Sequence, residues 1–312
     1  MSDFWRELIS AEFALKEVRI NIPSGEVLTW QHKFFSRLIS SPYRDRLAIT
    51  THRGRLLSAA DLANFVEFSE RIRRPILLKD VGSYISDRTF ENHSNLFAGK
   101  IALASYFTNS FVDLQKPINF AYSTRKNLRR ATDVFLLEIA VNQNLDADRI
   151  YQLHLKTRKR LGVPPYNKSF FHRLLDQVGQ HIVCFSCFYQ KKLIGFLLCY
   201  LHHDEMISGQ LGYLSEFSHT KVTDFLFSNA FDWGTSRGYE IYRFGADYVD
   251  QSGLIHFKKR LGAHAYPQFD CMINFKNVPT SYAKNQLAQK ILKITPDVAY
   301  PITQRLTGYY FW

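Results

Sequence analysis

Apolar positions recur along this chain at two spacings, and the change from one to the other marks out its elements. Runs of alternating or continuous apolar character at 18–22, 46–51, 76–78 and 101–107 predict strands, because successive strand side chains point to opposite faces. Between them Leu62, Phe65, Val66, Ser69 and Ile72 recur three and four residues apart, which predicts a helix. Ser58 has the side chain to cap its start, and Pro75 stops it. Residues 30–39, after the break at Pro23, Ser24 and Gly25, read as another helix. This first region mixes strands and helices up to about residue 120, and its chemistry is silent.

The pattern is more regular beyond it. Ser123 to Ala131 predicts a short helix, capped by Ser123 and carrying Arg125, Lys126, Arg129 and Arg130, the densest positive patch in the chain. A strand at 134–141 leads into a helix at 145–161, where Ile150, Leu153, Thr157 and Leu161 share a face. Gly162 ends it, and Pro164 and Pro165 bar its continuation. A helix at 170–178 precedes a hairpin that passes Cys184 and Phe188, turns at Gln190, Lys191 and Lys192, and returns through 193–200. The unbroken apolar character of the return implies burial on both faces. A strand at 206–213, a helix at 220–237 closed by Gly238, and a strand at 239–244 follow, and Gly245 opens a polar loop. The order is helix, helix, three antiparallel strands, helix, strand, helix, strand, a mixed α+β class.

Composition adds limits. With 312 residues, 46% apolar and 15% aromatic, the chain fills one large core or two ordinary ones, so two compact lobes are expected. No run reaches the roughly 18–20 apolar residues of a spanning helix, and Met1, Ser2, Asp3 and Phe4 lack the basic start of a signal peptide. A cytoplasmic protein is expected, possessing no transmembrane segment. Cys184, Cys187, Cys199 and Cys271 are too sparse for a disulfide framework and read as buried small hydrophobes. Cys184 and Cys187 have metal-like spacing, but in a strand they point to opposite faces and no second pair exists, so no metal is expected. A net charge of +12 favours anionic partners: nucleic acid, a phosphorylated substrate or an anionic membrane surface.

Several motifs now fall into an order. The stretch Leu153-His-Leu-Lys-Thr-Arg-Lys-Arg-Leu-Gly-Val-Pro-Pro-Tyr166, then Phe170 and Phe171, puts an arginine-bearing helix before a glycine and a proline turn. Gly238-Tyr239, Phe244-Gly245, Ser252-Gly253 and Phe257-Lys-Lys-Arg-Leu-Gly-Ala263 follow. Over roughly residues 120 to 275 this series resembles the FemAB-like peptidyltransferases of the GNAT superfamily, and the 125–131 cluster resembles the basic helix that joins their lobes. The family's Asp-Phe-Gly-Arg-Ser is replaced here by Arg243-Phe-Gly-Ala-Asp247, an acid and a base exchanged across the glycine. The resemblance implies two tandem GNAT-like lobes, each a mostly antiparallel twisted sheet flanked by helices. The expected division is 1–122, 123–278, and a C-terminal helix with an aromatic tail, 279–312, packing on the body. Characterised FemAB-like proteins use aminoacyl-tRNA to acylate the amine of a peptidoglycan precursor, and relatives sit in exopolysaccharide or other envelope pathways.

The expected reaction passes an acyl or aminoacyl group from an activated donor to a primary amine of a cell-envelope, peptidoglycan or polysaccharide precursor; it needs no covalent enzyme intermediate, only a neutral amine, a held carbonyl and relief of oxyanion charge. In keeping with that, no Gly-x-Ser-x-Gly elbow and no cysteine with an obvious histidine partner is present. The polar residues after Gly245 supply candidates. Lys258 can stabilise the oxyanion or hold a donor phosphate, and its match to the family's Phe-Lys pair points the same way, with Phe257 as an aromatic wall. Asp247 or His256 can accept the amine's proton. Tyr248 completes that group, Arg158 and Arg160 can clamp an anionic substrate, and Tyr166 and Tyr213 can contact the acceptor. Ordinary GNAT enzymes cradle the CoA pyrophosphate in a glycine-rich turn at a helix N-terminus; here 218–224 has no glycine. That favours aminoacyl-tRNA or an atypical thioester as co-substrate, with no tightly bound cofactor. A CoA- or carrier-dependent N-acyltransferase on a small amine, and a non-catalytic GNAT-fold binding protein, are the alternatives.

Overall fold

The computed structural model describes residues 15–23, 25–32, 38–40, 49–51, 58–78, 99–143, 145–275, 286–297 and 299–300. The first residues of the chain and the aromatic tail at 308–312 lie outside them. Contacts divide the chain into two units, Met1–Thr108 with Pro267–Ser281, and Asn109–Tyr266 with Tyr282–Trp312. The architecture is mixed α+β, and most strand pairs are antiparallel.

In the first unit β1 (Leu15–Ile22) and β2 (Gly25–His32) form a hairpin in register from Leu15↔His32 to Ile22↔Gly25. β3 (Leu38–Ser40) and β4 (Ile49–Thr51) both pair with β2, and β5 (Ile76–Leu78) runs parallel to β3. The helix expected at 30–39 is not formed where the chain is described: residues 30–32 belong to β2 and 38–39 to β3. Strand pairing decides this. Val27 and Thr29 are both buried, a period of two, and the Thr29 hydroxyl donates to the Val18 carbonyl at 2.8 Å. Helix α1 (Ala59–Ile72) starts as the sequence predicts, with a reciprocal capping box between Ser58 and Asp61. Leu62 and Phe65 then bury against Ile20, Ile22, Val27, Ile76 and Leu78, with Cys271 and Ile273 closing the core.

The boundary between units falls within two long strands, β6 (Ile101–Asp113) and β12 (His264–Ile273). In the second unit α2 (Tyr122–Arg129) runs into one π-helical turn, Arg130–Val134, before β7 (Glu138–Val141). The strand therefore starts later than the apolar run suggests. α2 begins one residue before Ser123, with no side-chain cap; Ala121 is tied instead through its N–H to the Arg260 carbonyl at 2.9 Å. α3 (Ala147–Leu161) and α4 (Lys168–Leu175) follow, capped by Asp146 and Asn167. Then come β8 (Ile182–Tyr189), β9 (Lys192–His202), β10 (Glu205–Tyr213), a 3-10 turn (Ser215–Thr220) and α5 (Val222–Ser236). β11 (Ile241–Tyr248), α6 (Ser252–Arg260) and, after β12, α7 (Gln286–Ile294) complete it.

The strand order in this unit is β11-β10-β9-β8-β7, antiparallel except for β10 and β11. Helices α3 and α5 both pack on β9, which accounts for six successive buried residues at 194–199. An aromatic core forms where Phe231 of α5 meets Tyr242 at 4.8 Å and Phe244 at 5.9 Å between ring centroids. The four cysteines are buried in the two cores, and desolvation pushes each thiol up to about 12.

Gly162 shows why the arginine-bearing helix must end in glycine. Its φ of +69° lets its own N–H reach Lys159 and that of Val163 reach Arg158, the double bond of a Schellman stop. A Cβ there would also lie 2.6 Å from the Gln289 carbonyl oxygen on α7. Gly162→Ala is expected to cost about 2 kcal/mol or more, from left-handed strain plus a backbone clash. Urea unfolding would measure it, and an unchanged midpoint would show that α7 does not press on this turn.

Candidate functional site

Parallel strands β10 and β11 pair over only three residues, Glu205↔Ile241, Met206↔Tyr242 and Ile207↔Arg243. Beyond Ile207 they share no partner pairs, while β10 continues against β9 as far as Tyr213↔Gly195. The paired end is fastened by charge. Arg243 donates through Nη2 and Nε to both carboxylate oxygens of Glu205, at 2.6 and 2.8 Å, with both side chains about one-eighth exposed. β10 also changes register between Ser208 and Gln210. Gly209 sits at that bulge, where a Cβ would lie 2.7 Å from the Tyr200 ring. Pairing lost on one side and a bulge on the same strand open a wedge between β10 and β11.

On the β11 side the strand does not end at Gly245 as the sequence suggests. It runs on to Tyr248, with Gly245 at φ +83° inside it. Helix α6 returns Lys258 to this segment: its Nζ lies 2.6 Å from Asp247 Oδ2, donates to the Gly245 carbonyl at 3.0 Å, and stands 5.6 Å from the centre of the Phe244 ring. Both charged residues are only 5% exposed, so each ionised group depends on the other. The Tyr248 N–H donates to Gln251. Phe257 is half-buried against Phe227, with Arg260 over its ring. His256 is exposed on α6.

On the β10 side the hydrogen bonds to the strand are neutral, and two arginines lie over its tyrosine rings. Thr157 of α3 both donates to the Tyr213 carbonyl, at 3.2 Å, and accepts from its N–H, at 3.0 Å, fixing the end of the strand. Tyr166 accepts from Gln210 beside the bulge at 3.2 Å. Its ring stacks on the buried His154, centroids 5.5 Å apart, and its N–H donates to His154 Nε2 at 3.0 Å. The ring proton of His154 is thereby assigned to Nδ1, which has no partner among the described residues. Burial first, and the neighbouring Arg158 second, hold the imidazole well below its usual range. Arg158 itself turns inward: Nε and Nη2 donate to the Pro164 carbonyl at 2.9 and 2.8 Å. Arg160 is exposed and covers the Tyr213 ring at 4.6 Å.

Of the candidates, Lys258 and Asp247 are brought into contact, with Tyr248 on the same strand. Tyr166, Arg158, Tyr213 and Arg160 gather around the end of α3 and of β10. His256 joins neither group. Two open pockets of about 530 and 520 Å³, one beside Asp148, Gln152 and Lys192 and one beside Asn142, Trp233 and Tyr239, do not include Lys258 in their walls. Four residues that shape the wedge carried no signal a motif search would use: Glu205, Gln210, Thr157 and His154. Glu205 and Arg243 are legible only as opposite charges at the starts of two strands that prove to be neighbours.

The acetyltransferase (GNAT) domain model matches residues 119–259. That region is therefore similar to GNAT acetyltransferase domains. No curated protein matches the sequence. Solved structures share the fold at low identity. FemX is similar at 12% identity with a TM-score of 0.61, over 92% of this chain and 93% of that one. The C-terminal domain of a putative lysylphosphatidylglycerol synthetase from Agrobacterium fabrum is similar at 13% identity and 0.58, over 94% and 92%. A tandem GNAT protein from the clavulanic acid biosynthesis pathway is similar at 11% and 0.51, over 82% and 80%. The chain thus shares the fold of these structures along most of its length, and among the described residues no helix is long and apolar enough to cross a membrane.

In the GNAT domain the segment that precedes α5 is built differently from a phosphate cradle. Lys221 occupies the N-cap in a left-handed conformation, φ +67°, with no side-chain cap. In the first turn Asp224 is buried and accepts from Asn127 Nδ2 at 2.6 Å. Burial raises that carboxyl, against the Asn127 bond and the nearby Arg260 and Lys221. The first turn of α5 thus carries a buried acid tied to α2, and no glycine lies in the segment before it.

The His154 brace has a pH signature. A histidine depressed in the folded state but ordinary when unfolded stabilises the fold fully above about 6.5, and that contribution is lost as pH falls below it. The expected loss is about 1.4 kcal/mol per pH unit below that value, down to the folded pKa. His154→Gln, whose amide oxygen can still accept from Tyr166, should remove that slope while keeping most of the stability at pH 8. Chemical unfolding of both proteins from pH 8 to 5 measures it, and parallel curves would show that His154 protonates freely when folded.

Proposed function

We propose that the protein transfers an acyl or aminoacyl group from an activated donor to a primary amine, on a cell-envelope, peptidoglycan or polysaccharide precursor. The observation that carries the reading is the wedge between β10 and β11 with the Lys258–Asp247 pair on its β11 side. The amine lone pair attacks the donor carbonyl to form a C–N bond. The tetrahedral oxyanion then expels an alkoxide or thiolate, and the ammonium proton passes to a base or to the leaving group. Lys258 is the cation beside the developing oxyanion, reaching it from Gly245, and Asp247 receives the proton as its hold on Lys258 shifts. Two tandem GNAT-like lobes are proposed for the whole chain.

Aminoacyl-tRNA is the proposed donor, taken as a co-substrate with no tightly bound cofactor. Two observations support it. The segment before α5 has no glycine and the first turn of α5 carries a buried acid, unlike a phosphate cradle, and the similar solved structures include FemX and a putative lysylphosphatidylglycerol synthetase. The +12 charge suits an anionic donor. The second reading, a CoA-dependent N-acyltransferase, has the GNAT domain match in its favour. His256 and Arg160, both exposed, are proposed to contact substrate only at the rim, with Phe257 and Arg158 supporting the walls.

Purified protein offered aminoacyl-tRNA or acetyl-CoA, with amine-bearing wall precursors, separates the readings by mass spectrometry. A mass gain on the amine from aminoacyl-tRNA alone supports the first, thioester consumption supports the second, and no transfer from either donor removes both. Lys258→Met removes the buried cation beside Asp247 and should cost about 3–5 kcal/mol of stability together with activity. The double variant Lys258→Met/Asp247→Leu should recover most of that stability, because an apolar pair replaces a buried ionic one. It should remain inactive, at least about a hundredfold down, as expected for loss of an oxyanion donor. Recovery of activity in the double variant would make the pair a structural device only.

A further inference from the structure

A second feature of the GNAT domain plays no part in the acyl-transfer reading. From Tyr122 to Leu136 the chain keeps three large apolar side chains in water: Tyr122 is 75% exposed, Val134 65% and Leu136 69%. Arg125, Lys126, Arg129 and Arg130 are exposed among them. On α2, Tyr122, Lys126 and Arg129 lie at i, i+4 and i+7 and share a face. The π turn carries that stripe on through Arg130 to Val134, four residues later, while Thr124 and Ala131 take the buried side. Leu136 stands just beyond, held at φ +49°. A left-handed backbone is unfavourable for leucine, and here it leaves the side chain exposed. Between Tyr122 and Leu136, four basic residues face one acid, Asp133.

A strip of cations with exposed aliphatic groups at one end matches a particular surface. Cations meet lipid phosphates, an aromatic hydroxyl sits at headgroup level, and aliphatic side chains enter the boundary with the acyl chains. Nucleic acid would use the cations but would leave Val134 and Leu136 unaccounted for, since phosphate contacts are polar. We propose that the Tyr122–Leu136 face docks on an anionic lipid bilayer, with Val134 and Leu136 inserting at its surface. The proposal stands apart from the acyl-transfer reading, because it concerns a surface whose occupancy can be measured without any donor or acceptor.

The full-length protein is mixed with vesicles of phosphatidylcholine alone, or of phosphatidylcholine with phosphatidylglycerol, and sedimented at low and at physiological salt. Binding is expected to the anionic vesicles, weakened by salt, with little to the neutral ones. Arg129→Gln/Arg130→Gln should lower the partition coefficient by roughly tenfold or more, since each cation near such a surface contributes on the order of a fivefold gain. Val134→Ser/Leu136→Asn, which retains a residue tolerant of positive φ at 136, should lower it at least several-fold. Equal binding to both vesicle types, or full binding by the serine and asparagine variant, overturns the proposal. So does preferential binding of an RNA duplex through the same arginines, or a salt-resistant dimer that dissociates on the Val134/Leu136 change. Each variant's thermal midpoint is checked against wild type, and since all four positions are exposed, a shift within roughly 2 °C is expected.

Discussion

Three residues of parallel pairing between β10 and β11 govern the rest of the GNAT domain. A parallel pair that continued would close the sheet and leave no recess; one that never formed would leave β11 held only by β6, its other neighbour. The Glu205–Arg243 bridge fixes the short paired section, and it lies at the residues where pairing starts and stops. Past that point β11 keeps β6 as its neighbour on the other edge. On the edge freed from β10 the Gly245 carbonyl accepts from Lys258 of α6, so the helix after the strand takes over one contact there.

That arrangement also explains the exchange of acid and base across the Phe-Gly pair. With arginine at 243 and aspartate at 247, each charge faces an opposite partner: Glu205 for the first, Lys258 for the second. Neither exchange partner is left alone in a buried setting, which would be the costly outcome. The departure from the family pattern is therefore compensated locally, and the polarity of the wedge is set by two ion pairs on β11, one before Gly245 and one after it.

Much of this unit was legible because its strongest signals are local. The order of helices and strands, the Schellman stop at Gly162 and the two-faced burial of β9 follow from spacing, from glycine and from continuous apolar character. What escaped depended on partners distant in sequence. Residues 30–32 joined β2 because β1 was there to pair with them, overriding a helix-like spacing. β11 runs past Gly245 in a sheet where β6, far away in sequence, is its other neighbour, a partner no spacing rule foresees. Arg158 looked like an anion clamp, since nothing local shows that the Pro164 carbonyl would claim its guanidinium. Gln210 and Thr157 make their bonds to Tyr166 and to the Tyr213 backbone across 44 and 56 residues.

The two sides of the wedge are held by different physics, and this sets how each can respond. The β10 side rests on neutral hydrogen bonds and stacked rings: Thr157 to the strand end, Gln210 to Tyr166, Tyr166 to His154. Such contacts are directional and short-ranged, so they fix geometry without projecting a field. The β11 side rests on charge, which acts over distance and strengthens as water is excluded. The β10 side thus presents hydrogen-bonded rings with Arg158 and Arg160 over them, and the β11 side a buried ion pair. On the proposed acyl-transfer reading, negative charge developing on the carbonyl oxygen is relieved at the second side, by the cation of that pair.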